Sequence, residues 1–531
     1  MRFRLSLPLT ALVFALGVTA PSLAAPGKTD AKGDKSPVAK QNQEQKEADA
    51  AAGWAKPSVD EQTVVTHHVA DTRSGPMKYA ATAGTLTIRD DEGKPIASVF
   101  YVAYTADGVQ DMKRRPVTFF YNGGPGSSTL WLHMGSFAPE RVQTTSPEAI
   151  RPAPFQFGPN KDTLLDKTDM VFIDAIGTGY SRALGDKKDK DFWGVDQDAD
   201  GFARAIQRYV SKNERWQSPK VLFGESYGTT RSATLANVLQ DRDMQMNGVV
   251  LLSSILNYGI RQPGFDRVYL NYLPSFAATA WYHHKIANPP ADVATIVQQA
   301  REFANGPYAA ALAEGSSLDP QTRNDIAQKV AALTGLTPQF VLAANLRIDP
   351  FRFRKELLRD HRLTVGRYDA RFPGVDSDAA GETPEYDASD TAIGGAFVAN
   401  FHDYMTRELG YKTDMPYRVS AYSADGFKWD FEHRIPGRRG SQAWPDVAVD
   451  LGIAMRTNPY LHVLSLNGYY DLATPFFGTE HDLKHMDLDP DQAKNFSFRY
   501  YPSGHMAYLN PDALVMMHRD LAVFYDGLVK G

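Results

Sequence analysis

Three side chains in this sequence have the types and the chain order needed for acyl transfer. The first is Ser226, within Gly224-Glu225-Ser226-Tyr227-Gly228. The G-x-S-x-G pattern sets a serine on a tight strand-to-helix turn, and its glycines remove side chains that would block the turn. A serine hydroxyl is a weak nucleophile. It needs a base, and the base needs a partner to orient it. His505, in Pro502-Ser503-Gly504-His505-Met506, and Asp471, in Asn467-Gly468-Tyr469-Tyr470-Asp471, complete the order serine, acid, histidine. Each follows an apolar run of strand type, and loops at the carboxyl ends of parallel strands are where such sheets hold their sites. Taken singly, His505 also reads as a surface-loop histidine and Asp471 as a turn carboxylate. Their conjunction with Ser226 favours chemistry.

Acyl transfer also needs donors for the developing oxyanion. Asn122-Gly123-Gly124-Pro125-Gly126 follows the apolar run Pro116–Tyr121, and its glycines expose backbone N–H groups. The second donor is the N–H of Tyr227, the residue after the nucleophile. An ordinary tight turn is the alternative for residues 122–126.

The elements that must position these residues are legible as alternating patterns. Thr63–Thr66, Gly84–Ile88 and Ser98–Tyr104 read as an antiparallel entry meander. Strand-like runs then alternate with helical ones. The strand-like runs are Pro116–Tyr121, Met170–Asp174, Val221–Phe223, Met246–Leu252, Tyr460–Leu466 and Phe496–Tyr501; Asp196–Ser211 and Thr230–Gln240 are helical by period. This predicts an α/β class protein with a mostly parallel sheet, antiparallel N-terminal strands and helices on both faces, the α/β-hydrolase fold. Between about 258 and 400 the character changes. Ala291–Ala304, Pro320–Leu333 and Pro338–Leu346 read as helices, and Gly374–Ala392 is acidic and turn-rich. The expectation is a helical cap inserted in a catalytic domain spanning 58–531.

The chain's 531 residues and 43% hydrophobic content fit a globular protein with a sizeable core. A net charge of −5 and the lack of a basic cluster argue against nucleic-acid binding. Arg2, Arg4, the apolar stretch Leu5–Val18 and small residues near Ala24 read as a signal peptide over 1–25. Residues 26–57 read as a disordered leader. The apolar stretch is short and holds Pro8, so no membrane anchor is expected after cleavage. There is no cysteine. That excludes a thiol nucleophile and a Cys-ligated zinc, and for an exported chain it favours a bacterial periplasm or bacterial secretion.

Five motifs in order resemble the serine carboxypeptidases of the cathepsin A and carboxypeptidase Y type. They are Phe120–Ser128, Phe172–Ser181, Gly224–Tyr227, Asn467-Gly468-x-x-Asp471 and Gly504–Met506. The resemblance implies an exported bacterial member that releases C-terminal residues from peptides with a free C-terminus, through a Ser226–His505–Asp471 acyl-enzyme mechanism and without a cofactor. It implies that Gly124 and Tyr227 give the oxyanion N–H groups, and that Asn122 and Glu225 bind the terminal carboxylate. Glu225 suits that role only when protonated, because two carboxylates in contact repel, so activity at acidic pH is expected. Three features depart from the family pattern. Ser127 stands at the family's usual cysteine, the helical insertion is its own, and Ser136-Phe137-Ala138-Pro139 replaces Glu-Leu-Gly-Pro. The last change removes a carboxyl partner, so Glu225 is expected to titrate lower. An esterase, amidase or acyltransferase with the same triad is the alternative. Substrate preference and oligomeric state are not legible.

His481 and His485, four apart, read as a solvated helix face in preference to a metal site, and so does the pair His283-His284. The aromatic group Tyr269, Tyr272, Phe276, Trp281 and Tyr282 reads as core or as a pocket lining.

Overall fold

The computed structural model describes residues 55–529. The signal peptide expected over 1–25 and nearly all of the 26–57 leader lie outside the described residues. No described helix is long and apolar enough to cross a membrane.

A ten-stranded sheet organises the protein. In chain order its strands are β1 (Thr63–Thr72), β2 (Gly75–Arg89), β3 (Pro95–Ala106), β4 (Val117–Tyr121), β5 (Asp169–Ile173), β6 (Arg182–Ala183), β7 (Lys220–Glu225), β8 (Gly248–Leu252), β9 (His462–Gly468) and β10 (Phe496–Tyr501). They lie in the order β1-β2-β3-β5-β4-β7-β8-β9-β10, with β6 paired to β3. The first three strands and β5 pair antiparallel. From β5 to β10 every neighbour is parallel. The mixed sheet is that of the α/β-hydrolase fold. β2 begins nine residues before the expected Gly84, because Gly75 (φ +104) closes a tight turn from β1. Only the second half of β2 is continuously buried, and only that half carries a strand signal in the sequence.

Both faces of the inner parallel strands β4, β5, β7 and β8 are covered, which is why these strands are mainly apolar and do not alternate, whereas the edge strand β10 is half-buried and alternates Ser497 and Arg499 with aromatic residues. Phe120, Val221, Phe223, Val250 and Leu252 enter one core. Phe119, Leu222, Val249 and Leu251 enter the other. Helix α1 (Leu130–Gly135) lies on the first side; α2 (Val195–Lys212) and α3 (Tyr227–Asp241) cover the second. Each fully buried Phe or Leu contributes about 1.5–3 kcal/mol.

The chain leaves the sheet after Leu252 and returns at His462, so the excursion is longer than the expected 258–400. Its first helix, α4 (Arg267–Tyr282), is absent from the sequence reading because its aromatic and small residues show no single stripe. Three further helices open on a capping side chain followed by proline: Asp319-Pro320, Thr337-Pro338 and Asp349-Pro350. The excursion has its own core, in which Phe276 stacks on Phe353 at 3.9 Å. Tyr272 and Phe276 are buried there, so the aromatic group packs the excursion. Residues 416–447 then run back across the sheet end. His433 pins this strap, with Nδ1 2.6 Å from Asp196 and Nε2 3.0 Å from Asp450. Burial lowers the His433 pKa, but the two carboxylates outweigh it and hold it at about 9.

Candidate active site

β7 ends at Glu225 and α3 starts at Tyr227, so Ser226 occupies the junction alone. Its φ of 59° and ψ of −128° lie where a side chain is strained by about 1–3 kcal/mol. The surroundings over-determine that shape. Ser226 N donates to the Leu252 carbonyl at 3.0 Å, and Thr229 N donates back to the Ser226 carbonyl at 2.9 Å. A Cβ at Gly224 would collide with the Gly228 backbone, and one at Gly228 would lie 2.8 Å from the Tyr121 carbonyl. Both glycines of the motif are therefore required by contact with backbone.

The acid and the histidine come from adjacent strand ends. A Cβ at Gly468, closing β9, would collide with the Gly504 carbonyl, so the two turns pack backbone to backbone. His505 Nδ1 donates to Asp471 Oδ2 at 2.7 Å. The other Asp471 oxygen accepts from Ala473 N (2.7 Å) and Thr474 N (2.9 Å). The Thr474 hydroxyl lies 2.8 Å from both Asp471 Oδ2 and the Ser253 carbonyl. Ser253 Oγ in turn donates to the His505 carbonyl at 2.6 Å. Both triad candidates are buried. Burial alone would lower the His505 pKa, but Asp471 and Glu225 outweigh it, and the net shift is upward. Among the described residues nothing within 3.5 Å hydrogen-bonds the Ser226 hydroxyl. Serine–base contacts of this kind commonly tighten only when substrate binds.

The glycine loop after β4 lies directly on the elbow. A Cβ at Gly123 would collide with the backbone of Tyr227, and Gly124 holds φ +106. Neither Gly124 N nor Tyr227 N donates to another backbone carbonyl among the described residues, which leaves both free for an oxyanion. The loop is locked from α3. Arg231, fully buried, donates to the Asn122 carbonyl at 2.7 Å and pairs with Asp198 at 2.6 Å. Its guanidinium lies 4.2 Å from the Phe202 ring centroid.

Glu225 points to the same place. It is buried, and burial raises its pKa to about 7, against smaller lowering effects from His505, Tyr508 and Asn122. Burial thus holds Glu225 above the ordinary carboxylate range although Ser136-Phe137-Ala138-Pro139 brings no carboxyl group. Ser136, in the changed segment, turns its hydroxyl onto its own helix at the Leu132 carbonyl (2.5 Å). The groups beside Glu225 are instead Tyr508 and Asn122. The Tyr508 hydroxyl and Glu225 Oε2 are both buried without a hydrogen-bond partner.

All of this opens on one cavity of about 440 Å³. Asn122, Gly123, Gly124, Glu225, Ser226 and His505 line it together. The family model for serine carboxypeptidase matches residues 73–305, which include the Asn122 loop and the elbow. That segment is similar to the serine carboxypeptidases. Asp471 and His505 lie beyond the matched segment. No curated protein matches the sequence. Among solved structures, a prohormone-processing carboxypeptidase from Saccharomyces cerevisiae, Kex1Δp, aligns with a TM-score of 0.50 at 14% identity, over 85% of this chain and 91% of that one. A proline iminopeptidase from Mycobacterium smegmatis aligns at 0.35 and 13%, over 84% and 98%. A monoglyceride lipase from Saccharomyces cerevisiae aligns at 0.33 and 11%, over 83% and 94%.

The segment matched by the family model thus supplies Asn122, Gly124, Glu225, Ser226 and Tyr227, and the last two sheet strands bring Asp471 and His505 to them. Sequence reasoning missed Arg231, Tyr508, Thr474 and Ser253. Arg231 stands one turn after the nucleophile, so helical spacing could have flagged it; Tyr508, three residues after His505, carries no motif. His481 and His485 stack at 4.0 Å outside the cavity. Among the described residues no group of three His, Asp or Glu side chains is arranged to hold a metal.

Proposed function

We propose that this protein is an exported bacterial serine carboxypeptidase that removes C-terminal residues from peptides through an acyl-enzyme. The single observation that carries the reading is Glu225, a buried acid in the residue before the nucleophile and in the same cavity, whose pKa burial raises to about 7. A neutral carboxyl can donate a hydrogen bond to a substrate carboxylate, whereas an ionised one repels it. In this reading Glu225 and Asn122 hold the terminal carboxylate, with Tyr508 beside them.

Ser226 Oγ attacks the last peptide carbonyl while His505 takes its proton. The new oxyanion accepts from the N–H groups of Gly124 and Tyr227. His505 returns the proton to the departing amine, the amino acid leaves, and an ester joins the peptide to Ser226. Water, deprotonated by His505, cleaves the ester and restores the serine. Asp471 holds the imidazole in the tautomer with Nδ1–H and stabilises its charged form. Glu225 gives the alkaline limit: binding of a free carboxylate weakens as pH rises through about 7. His505, whose pKa is shifted upward from 6.5, sets the acidic limit, so the free enzyme is expected to work best near neutral to mildly acidic pH. Export rests on Arg2, Arg4 and the Leu5–Val18 stretch, and the bacterial setting on the absence of cysteine.

The lost carboxyl partner of Glu225 favours a second reading, an esterase or amidase with the same triad. One comparison separates the two. A blocked dipeptide with a free C-terminus should be hydrolysed at least about tenfold faster than its C-terminal amide at about pH 6.5, as expected for a charge-assisted hydrogen bond. Equal rates would assign the protein to the second reading.

A further inference from the structure

The cavity holds two arginines that the proposed reaction does not use. Arg261 and Arg367, both from the excursion, line it together with Tyr258, Tyr368 and Tyr422. Elsewhere in the fold, several arginines withdrawn from solvent are matched to carboxylates: Arg115 and Arg215 to Asp169, Arg231 to Asp198, Arg301 to Glu480, Arg371 to Asp369; Arg141, Arg182 and Arg354 are buried on main-chain carbonyls instead. Arg367 is half-buried, yet among the described residues no carboxylate lies within 4.0 Å of it or of Arg261. Its guanidinium carbon sits 5.2 Å from the Tyr368 ring centroid, and that ring lies 5.1 Å from the His505 ring. The charge is thus one side chain from the reacting centre and faces aromatic rings.

Its placement is fixed by the backbone. Arg367 N donates to Asp387 Oδ1 at 2.9 Å, and Leu472 N, next to Asp471, donates to the Arg367 carbonyl at 3.0 Å. Arg261 Nη2 donates to the Ala473 carbonyl at 3.1 Å in the same turn. Both cations are therefore tied to the turn that carries the triad acid. The nearby acidic groups are committed or exposed. Both Asp387 oxygens accept backbone N–H groups of the Arg367–Tyr368 segment, and Asp390, also on the cavity wall, is exposed to solvent. A guanidinium fork without a carboxylate, on a wall of tyrosines, matches a planar anionic group.

We infer that Arg367, supported by Arg261, is a specificity-determining residue that takes the carboxylate side chain of an aspartate or glutamate next to the scissile bond. The substrate class would then be peptides with acidic C-terminal ends. This rests on the carboxypeptidase reading, in which Glu225 and Asn122 occupy the substrate's terminal carboxylate and leave the arginines for a side chain.

The test uses blocked dipeptides carrying Glu, Gln, Leu or Lys at each of the two positions in turn, against the wild-type chain, Arg367→Met and the charge-keeping Arg367→Lys. Binding of the same peptides to Ser226→Ala, followed by calorimetry, reads the subsite even where turnover is nil. In one of the two positions Glu should exceed Gln by about tenfold or more, in kcat/KM and in affinity. Arg367→Met should erase that preference and leave the Leu peptide within about threefold; Arg367→Lys should keep part of it. Equal handling of Glu and Gln at both positions would overturn the inference. So would a loss in Arg367→Met shared by all peptides, which would mark Arg367 as a reader of the terminal carboxylate. Glu-selective binding by a chain that releases no residue would uphold the subsite and fail the carboxypeptidase reading instead.

Discussion

At the rim of the sheet, a methyl group added at Gly123, Gly224 or Gly468 would collide with backbone, and Arg231 reaches across from α3 to hold the Asn122 carbonyl. In the wall contributed by the excursion, the Arg261 side chain makes one bond to the turn beside Asp471, Arg367 is placed by its backbone bonds to Asp387 and Leu472, and Tyr422 is largely exposed. The rim holds its reacting groups through contacts that only glycine and one ion pair allow. The wall holds its side chains through contacts that many residues could replace. Reaction type is therefore written into the rim, and substrate preference into the wall. A rim substitution should damage turnover or folding for every substrate, while a wall substitution should re-rank substrates.

The hardest test of that division is Ser226→Ala. It should lower kcat by at least about 10⁴-fold for all peptides while their affinities stay nearly constant. Steady-state rates beside calorimetric binding read both sides. Retained turnover would move the nucleophile off the rim. Next in size is Arg231→Met, which leaves Asp198 charged and buried. Its cost should be about 3–5 kcal/mol, seen as a lower denaturant midpoint. The double variant Arg231→Met/Asp198→Leu should regain much of that stability. If Arg231→Met alone were neutral, the ion pair would not be what locks the glycine loop.

The same contrast explains what could be read from sequence. Rim residues sit in short, contiguous motifs, because a strand end, a turn and a helix start are close in the chain. Asn122, Gly124, Ser226 and Tyr227 could be placed from such patterns before any coordinates. The inner parallel strands were legible because burial on both faces makes them mainly apolar, whereas the start of β2 was not, since its first half alternates between buried positions such as Tyr79 and exposed ones such as Lys78. Arg231 acts on Asn122 across 109 positions, Tyr508 meets Glu225 across 283, and Arg367 stands in a segment with no motif. Pairings of that range leave no local period. The upward shift of Glu225 was illegible for the same reason: the sequence shows which partner is missing and says nothing of how deeply the acid is buried.

Glu225 also gives the smallest effect and the finest test of the boundary, since it belongs to the rim by position and to the substrate by chemistry. Its folded pKa of about 7 lies above the 4.5 of a free glutamate, so the folded state holds the proton more tightly than the unfolded chain does. The stability this contributes is complete below pH 4.5 and is lost as pH rises through about 7. Substrate binding follows the same proton: above pH 7 the neutral acid declines about tenfold per unit. Gln at this position is neutral at every pH and still donates. In Glu225→Gln, the alkaline limb of kcat/KM for free-acid peptides should flatten, so that its activity relative to wild type rises about tenfold from pH 6 to pH 8. For ester or amide substrates, which present no carboxylate, the ratio should stay constant across that range. A limb that persists unchanged in the variant would reassign it to a group outside the cavity corner. A limb that flattened for amides as well would mean that Glu225 acts on His505 and the chemistry, with no part in reading the terminal carboxylate.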